Sequence, residues 1–166
     1  MISEKLEKAI NKQINAEFWS AYLYLSMSVH FDNQGLTGFA NWFKVQFQEE
    51  QDHAFKLINY LIAKGNKVEL RPIEAVRISW DSVLDAFIDT LEHEKVVTGL
   101  INNLVSIARE EQDYATENVL QWFVSEQVEE EETAQQMIDG LKLIGDNGFG
   151  IYTMDKELGQ RTHTAE

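Results

Sequence analysis

Glu49-Glu50-Gln51-Asp52-His53 stands in the middle of an apolar run from Phe39 to Ile62. Read as a helix, that run has a seam of Phe43, Phe47, Glu50, Ala54, Leu57 and Leu61, spaced in fours and threes, so Glu50 takes a core position. His53, three residues on, points the same way and adds a nitrogen ligand to the carboxylate oxygens. An isolated Glu-x-x-His arises often by chance and is then usually a solvated helix face. Its meaning here depends on how the rest of the chain answers it.

The other seams answer it. A first helical pattern opens at Ser3, a suitable N-cap, and stops near Asp32-Asn33-Gln34-Gly35. Its seam of Ile10, Ile14, Glu17, Ala21, Tyr24 and Ser28 is interrupted by one glutamate. The second pattern, about 37 to 64, follows a short turn, so the two should pack as an antiparallel hairpin. A connection from Lys67 to about Trp80, holding the single proline, Pro72, is too long for a hairpin and can run the length of a bundle.

The third helix, expected to open at Ser79 or Asp81, carries Phe87, Leu91, Glu94, Thr98, Ile101, Val105 and Ala108. The fourth reads Thr116, Leu120, Phe123, Gln127, Glu130, Ala134, Met137 and Leu141, ending around Gly145 to Gly148. A short fifth helix, about Ile151 to Gly159, precedes a polar tail over 160–166 that is expected to fray. The expectation is an all-α chain, one domain over 1–166, built as a four-helix bundle with a long crossover between helices 2 and 3.

Glu17, Glu50, Glu94 and the Gln127–Glu130 pair fall near the middle of their helices, so aligned helices would set them at one level. A lone seam glutamate more often snorkels to solvent or pairs with a base. At this level, however, the only basic partner is His53. Burying four carboxylates uncompensated costs several kcal/mol each, so the arrangement calls for protons or cations. Two divalent ions would balance Glu17, Glu50, Glu94 and Glu130, and carboxylates with one imidazole suit iron or manganese.

Composition narrows the alternatives. The 166 residues include no cysteine, which excludes disulfides, thiolate metal sites and a cysteine nucleophile. Fourteen basic against 28 acidic residues, a net charge of -14, argue against nucleic acid and anionic lipid as partners. Met1 to Glu7 lacks an apolar signal core and no stretch is long enough for a membrane span, so a cytoplasmic location is expected.

With these residues in view, the whole chain resembles the ferritins, and most closely the bacterial non-haem ferritins. The resemblance is carried by Asn15-Ala16-Glu17 with Tyr24, by Glu49-Glu50-Gln51-Asp52-His53-Ala54, by Glu94, and by Trp122 to Glu131. Ferritin-like di-iron proteins are the general example of metal sites in bundle cores, so the layout belongs to the superfamily. The resemblance implies a ferroxidase centre: Glu17, Glu50 and His53 on one iron; Glu50, bridging, with Glu94 and Glu130 on the second; Gln127 and Tyr24 beside them. It implies a third iron at Glu49, Glu126, Glu129 and Glu130, of which the last three share a helix face. It further implies a 24-subunit shell that oxidises ferrous iron with dioxygen or peroxide and stores it as ferric mineral.

Departures from related groups sharpen this. Where bacterioferritins and di-iron oxygenases carry a second Glu-x-x-His, this chain reads Gln127-x-x-Glu130, and Gln51 stands where bacterioferritin has its haem methionine, so no haem is expected. Rubrerythrin's extra iron domain needs cysteine. A di-iron oxygenase would share the bundle but requires a substrate pocket, and a cytokine-like bundle has no reason for four level glutamates. His30, His93 and His163 read as packing or surface residues, and Trp19, Trp42, Trp80 and Trp122 fit helix contacts or subunit interfaces. Asp81, Asp85 and Asp89 fit either an access route or a solvated face.

Overall fold

The computed structural model describes residues 1–165. Five helices follow one another: α1 (Glu4–Asn33), α2 (Thr37–Ala63), α3 (Val83–Glu110), α4 (Tyr114–Ile144) and α5 (Gly148–Leu158). Four of them open on their own side-chain caps: Ser3 accepts from Leu6 N, Ser82 from Asp85 N, Asp113 from Thr116 N and Asn147 from Gly150 N. The third helix thus starts at neither Ser79 nor Asp81. Asp85 closes a reciprocal cap by accepting from Asp81 N at 3.0 Å, and that fixes Ser82 as the first residue outside the helix. The Asn147 cap likewise starts α5 three residues before Ile151.

α2 has no cap of its own, because Leu36 stands at that position. Asp155 of α5 supplies it from 117 residues away, its Oδ1 accepting from Gly38 N at 2.9 Å and from Phe39 N at 3.0 Å. Gly38 permits the approach, since a Cβ there would lie 1.5 Å from the Asp155 carbonyl oxygen. The short fifth helix is therefore bound into the bundle through the end of α2.

The hairpins α1–α2 and α3–α4 are joined by the crossover, which is pinned by one polar stripe of α1. Glu7 accepts from Asn66 and from Lys67 N; Asn11 donates to Lys67 O and accepts from Glu69 N; Asn15 donates to Arg71 O and Pro72 O; Ser26 donates to Arg77 O. The steps from Glu7 to Asn11 to Asn15 are one helical turn each, so a straight helix face holds an extended strap. The strap ends on α3, where Arg77 reaches Asp85 at 2.6 Å and Trp80 Nε1 donates to Asp89 at 2.8 Å. Asp85 and Asp89 thereby serve as anchors for the crossover.

The apolar core falls into two clusters. One is aromatic, with Tyr24, Phe31, Phe39, Trp42, Phe43 and Phe87; the other is mostly aliphatic, with Leu6, Ile10, Ile14, Leu57, Leu61, Ile101 and Leu120. Full burial of one such side chain is worth about 1.5–3 kcal/mol. Among the described residues no helix is long and apolar enough to cross a membrane.

The tail after α5, where fraying is expected, makes defined contacts with α2 as far as His163. Asn41 donates to Leu158 O and Arg161 O, Arg161 lies 4.5 Å from the Trp42 ring centroid, and His163 meets Asp52 at 2.7 Å. An exposed tail has no reason to dock on periodicity grounds alone; the acidic and aromatic surface of α2 provides one. Glu166 lies outside the described residues.

Candidate metal centre

Between the two apolar clusters lies a level of buried polar side chains: Glu17, Glu50, His53, Glu94, Gln127 and Glu130 are all buried. Each sits on a seam whose next turns carry core residues, so the backbone cannot rotate it outward without exposing Ile14 and Ala21, Leu57, Ile101 or Phe123. The structure buries the expected four-helix set at one level and seats Tyr24 against Glu94, but the ligand atoms that converge within 4.8 Å are those of Glu17, Glu50 and His53 and those of His53, Glu126 and Glu130, with Glu94 in neither group.

On the α1–α2 side, ligand atoms of Glu17, Glu50 and His53 lie within 4.8 Å of one another. His53 Nδ1 is 3.2 Å from Glu50 Oε2, and its Nε2 is 3.9 Å from Glu126 Oε1. Glu17 Oε1 accepts from Gln13 Nε2 at 2.9 Å, while Glu17 Oε2 is buried with no hydrogen-bond partner. On the α3–α4 side the carboxylates are held by neutral donors. Tyr24 OH donates to Glu94 Oε1, Gln127 Nε2 donates to Glu94 Oε2 at 3.0 Å, and Gln46 Nε2 donates to Glu130 Oε2 at 2.6 Å.

Burial pushes all four glutamates up from the usual carboxylate range. It is the leading cause for Glu17 and Glu50, with the neighbouring His53 opposing it, and for Glu94, where the Tyr24 hydrogen bond opposes it. For Glu130 burial is reinforced by the charge of Glu94. Tyr24 is raised well above a normal phenol by burial and by Glu94, so it remains a proton donor at neutral pH. A site in which carboxylates must be protonated or paired, with one acceptor oxygen unmatched, suits a hard or borderline cation.

The residues expected at a third position divide. His53, Glu126 and Glu130 offer ligand atoms within 4.8 Å of one another, Glu49 is half-buried, and Glu129 is exposed. His53 therefore stands between two carboxylate groups and presents a different ring nitrogen to each. Gln13 and Gln46 were not singled out from the sequence. Gln13 sits four residues before Glu17, one turn away, and that spacing is the signal that would have found it; Gln46 meets Glu130 of another helix, and no local spacing marks it.

His93 is a packing residue: it meets Ser20 Oγ at 2.7 Å, lies 5.1 Å from the Trp19 ring, and is lowered to about 4 by burial. His30 packs edge-on against Phe31 and Trp80. The Trp122 ring stands 5.3 Å from that of His53 and carries Lys56 Nζ over it at 3.6 Å from the ring centroid, which covers the buried imidazole.

A fold of this topology with carboxylates and a histidine across its middle is a ferritin-like bundle. The family model for a ferritin-like domain matches residues 7–144. A bacterial non-heme ferritin of Bacteroides fragilis is 48% identical over 161 residues, 97% of this chain and 100% of its own length. One of Staphylococcus aureus is 41% identical over 166 residues, with 100% of both chains covered. Among solved structures, a closed form of the Archaeoglobus fulgidus ferritin engineered by mutagenesis superposes with a TM-score of 0.98 at 49% identity, covering 99% of this chain and 100% of that one. The chain belongs to the ferritin family.

Proposed function

We propose that the protein is an iron-storing ferritin of the bacterial non-haem type, whose subunit oxidises ferrous iron at the buried carboxylate level and passes it on for storage as ferric mineral. The observation that carries the reading is the level itself: four buried glutamates from four helices, one with an unmatched oxygen, and a single imidazole among them. Ferrous iron is the substrate. Glu17, Glu50 and His53 receive one ion; Glu50, Glu94 and Glu130 receive the other; Gln127 and Tyr24 orient Glu94 until metal arrives. Holding two ferrous ions on a shared carboxylate lets each give one electron to the same molecule of dioxygen or peroxide.

Glu49, Glu126 and Glu130, with Glu129 at the rim, form the neighbouring position through which iron leaves the pair. The whole chain acts as one domain in a cytoplasmic homo-oligomer, with 24 subunits expected of a closed shell. The test is aerobic addition of ferrous iron to the purified protein followed by size exclusion and native mass measurement. A soluble brown particle coeluting with a large hollow assembly is the expected outcome; a stable monomer that leaves iron to precipitate rejects the reading.

A further inference from the structure

The C-terminal tail carries a cation to the edge of the carboxylate level. Arg161 Nη2 lies 2.9 Å from Glu49 Oε2 and 2.9 Å from Gln46 Oε1, and Nη1 donates to Trp42 O at 3.1 Å. Gln46 in turn donates through Nε2 to Glu130 Oε2 at 2.6 Å. A guanidinium must face the amide oxygen, so Arg161 sets which end of Gln46 meets Glu130. A single side chain is thus bound to one carboxylate of the third position and, through one amide, to another.

We propose that Arg161 is a positioning residue for iron transfer: it is the resident cation of Glu49, and an ion moving from the di-iron pair to the third position competes with it for that carboxylate. The inference rests on reading Glu49 as part of that position. Competition follows from charge, since a guanidinium on Oε2 already offsets the single negative charge of Glu49 and repels a metal ion approaching the same carboxylate. Displacement is feasible because the Arg161 side chain is 24% exposed and has solvent to move into. The tail does not need the guanidinium to stay seated, because Asn41 holds the Arg161 carbonyl as well as that of Leu158 at the end of α5, and His163 meets Asp52. Arg161 thereby keeps the third position weak, so that iron passes through it and does not accumulate there.

The test uses the intact metal-free assembly and Zn2+, which binds without oxidation, titrated by calorimetry. In R161Q the weakest class of site tightens on the order of tenfold, a modest figure because the ion pair is partly solvated. The tightest class, at Glu17, Glu50 and His53, stays unchanged. R161K, which keeps the charge, remains near the parent, and adding E49Q to R161Q removes the gain. The sign separates competition from mere support: a residue that only held the tail in place would weaken the site when lost. Unchanged or weakened binding at the weakest class in R161Q overturns the proposal, as does an unmodified protein with no third class of site, and both leave the two-ion reading standing. Absence of any tight class overturns that reading as well.

Discussion

The two sides of the carboxylate level have their carboxylates satisfied in opposite ways. On the α1–α2 side, Glu17, Glu50 and His53 already converge within 4.8 Å, and Glu17 Oε2 has no partner. On the α3–α4 side, Glu94 is held by Tyr24 and Gln127, and Glu130 by Gln46. The first side carries the cost of an unsatisfied buried acceptor; the second relieves that cost with neutral donors that an arriving ion must displace. The lesson is that one site can be strained on one flank and parked on the other, so the ions should bind in order, first beside His53 and then beside Glu94.

The harshest way to break this comparison is to remove the residue common to both sides. Glu50→Ala should reduce the initial rate of ferrous oxidation by more than about 100-fold, the upper end of what residues supporting a metal ligand contribute. Stopped-flow absorbance measures it, and a rate near the parent's would mean that neither half depends on Glu50.

Neutralising one carboxylate in the metal-free protein tests which flank is strained. Glu17→Gln keeps the bond from Gln13 and turns an amide towards Glu50, so apo stability should rise by about 1 kcal/mol or more. Glu94→Gln should gain less, because both carboxylate oxygens now accept, from Tyr24 OH and from Gln127 Nε2, so in either orientation the new NH2 meets a group that now donates. Denaturant melts in chelator make the comparison, since bound metal would mask it. Equal gains at the two positions would contradict the distinction.

Protons test all four glutamates together. Their folded values are raised above the ordinary 4.5, so the native state holds more protons than the unfolded chain, and apo stability falls as pH rises through the raised values. His93, lowered from 6.5 to about 4, acts the other way below 6.5, where the unfolded chain is the more protonated. The two oppose each other between about 4 and 6.5; as pH rises on through the glutamates' raised values, the apo protein should lose stability while metal affinity increases. Thermal melts with and without Zn2+ should show slopes of opposite sign.

Smaller effects sharpen the parked side. Tyr24→Phe removes one donor from Glu94, so metal affinity there should rise severalfold while apo stability drops by about 1 kcal/mol. Calorimetry with Zn2+ would resolve it as a change in the second class of site only. Smallest of all, Glu129→Ala should leave the initial oxidation rate within about twofold, because Glu129 is exposed and outside the converging groups. Its effect should appear only later in the reaction course.

The sequence alone determined the helices, their pairing and the four-glutamate level, because the 3.6-residue period of apolar seams makes an intruding carboxylate visible at its own address. Glu17, Glu50, Glu94 and Glu130 were legible for that reason, and His53 by its three-residue spacing from Glu50. Only the tertiary structure decided how those charges are satisfied. Tyr24 meets Glu94 across 70 residues and Gln46 meets Glu130 across 84, pairings with no trace in local periodicity. The same holds for Asp155 capping α2 and for Arg161 reaching Glu49 across 112 residues. A hydrogen bond depends on position within a few tenths of an ångström, whereas hydrophobic patterning fixes only which face of a helix turns inward.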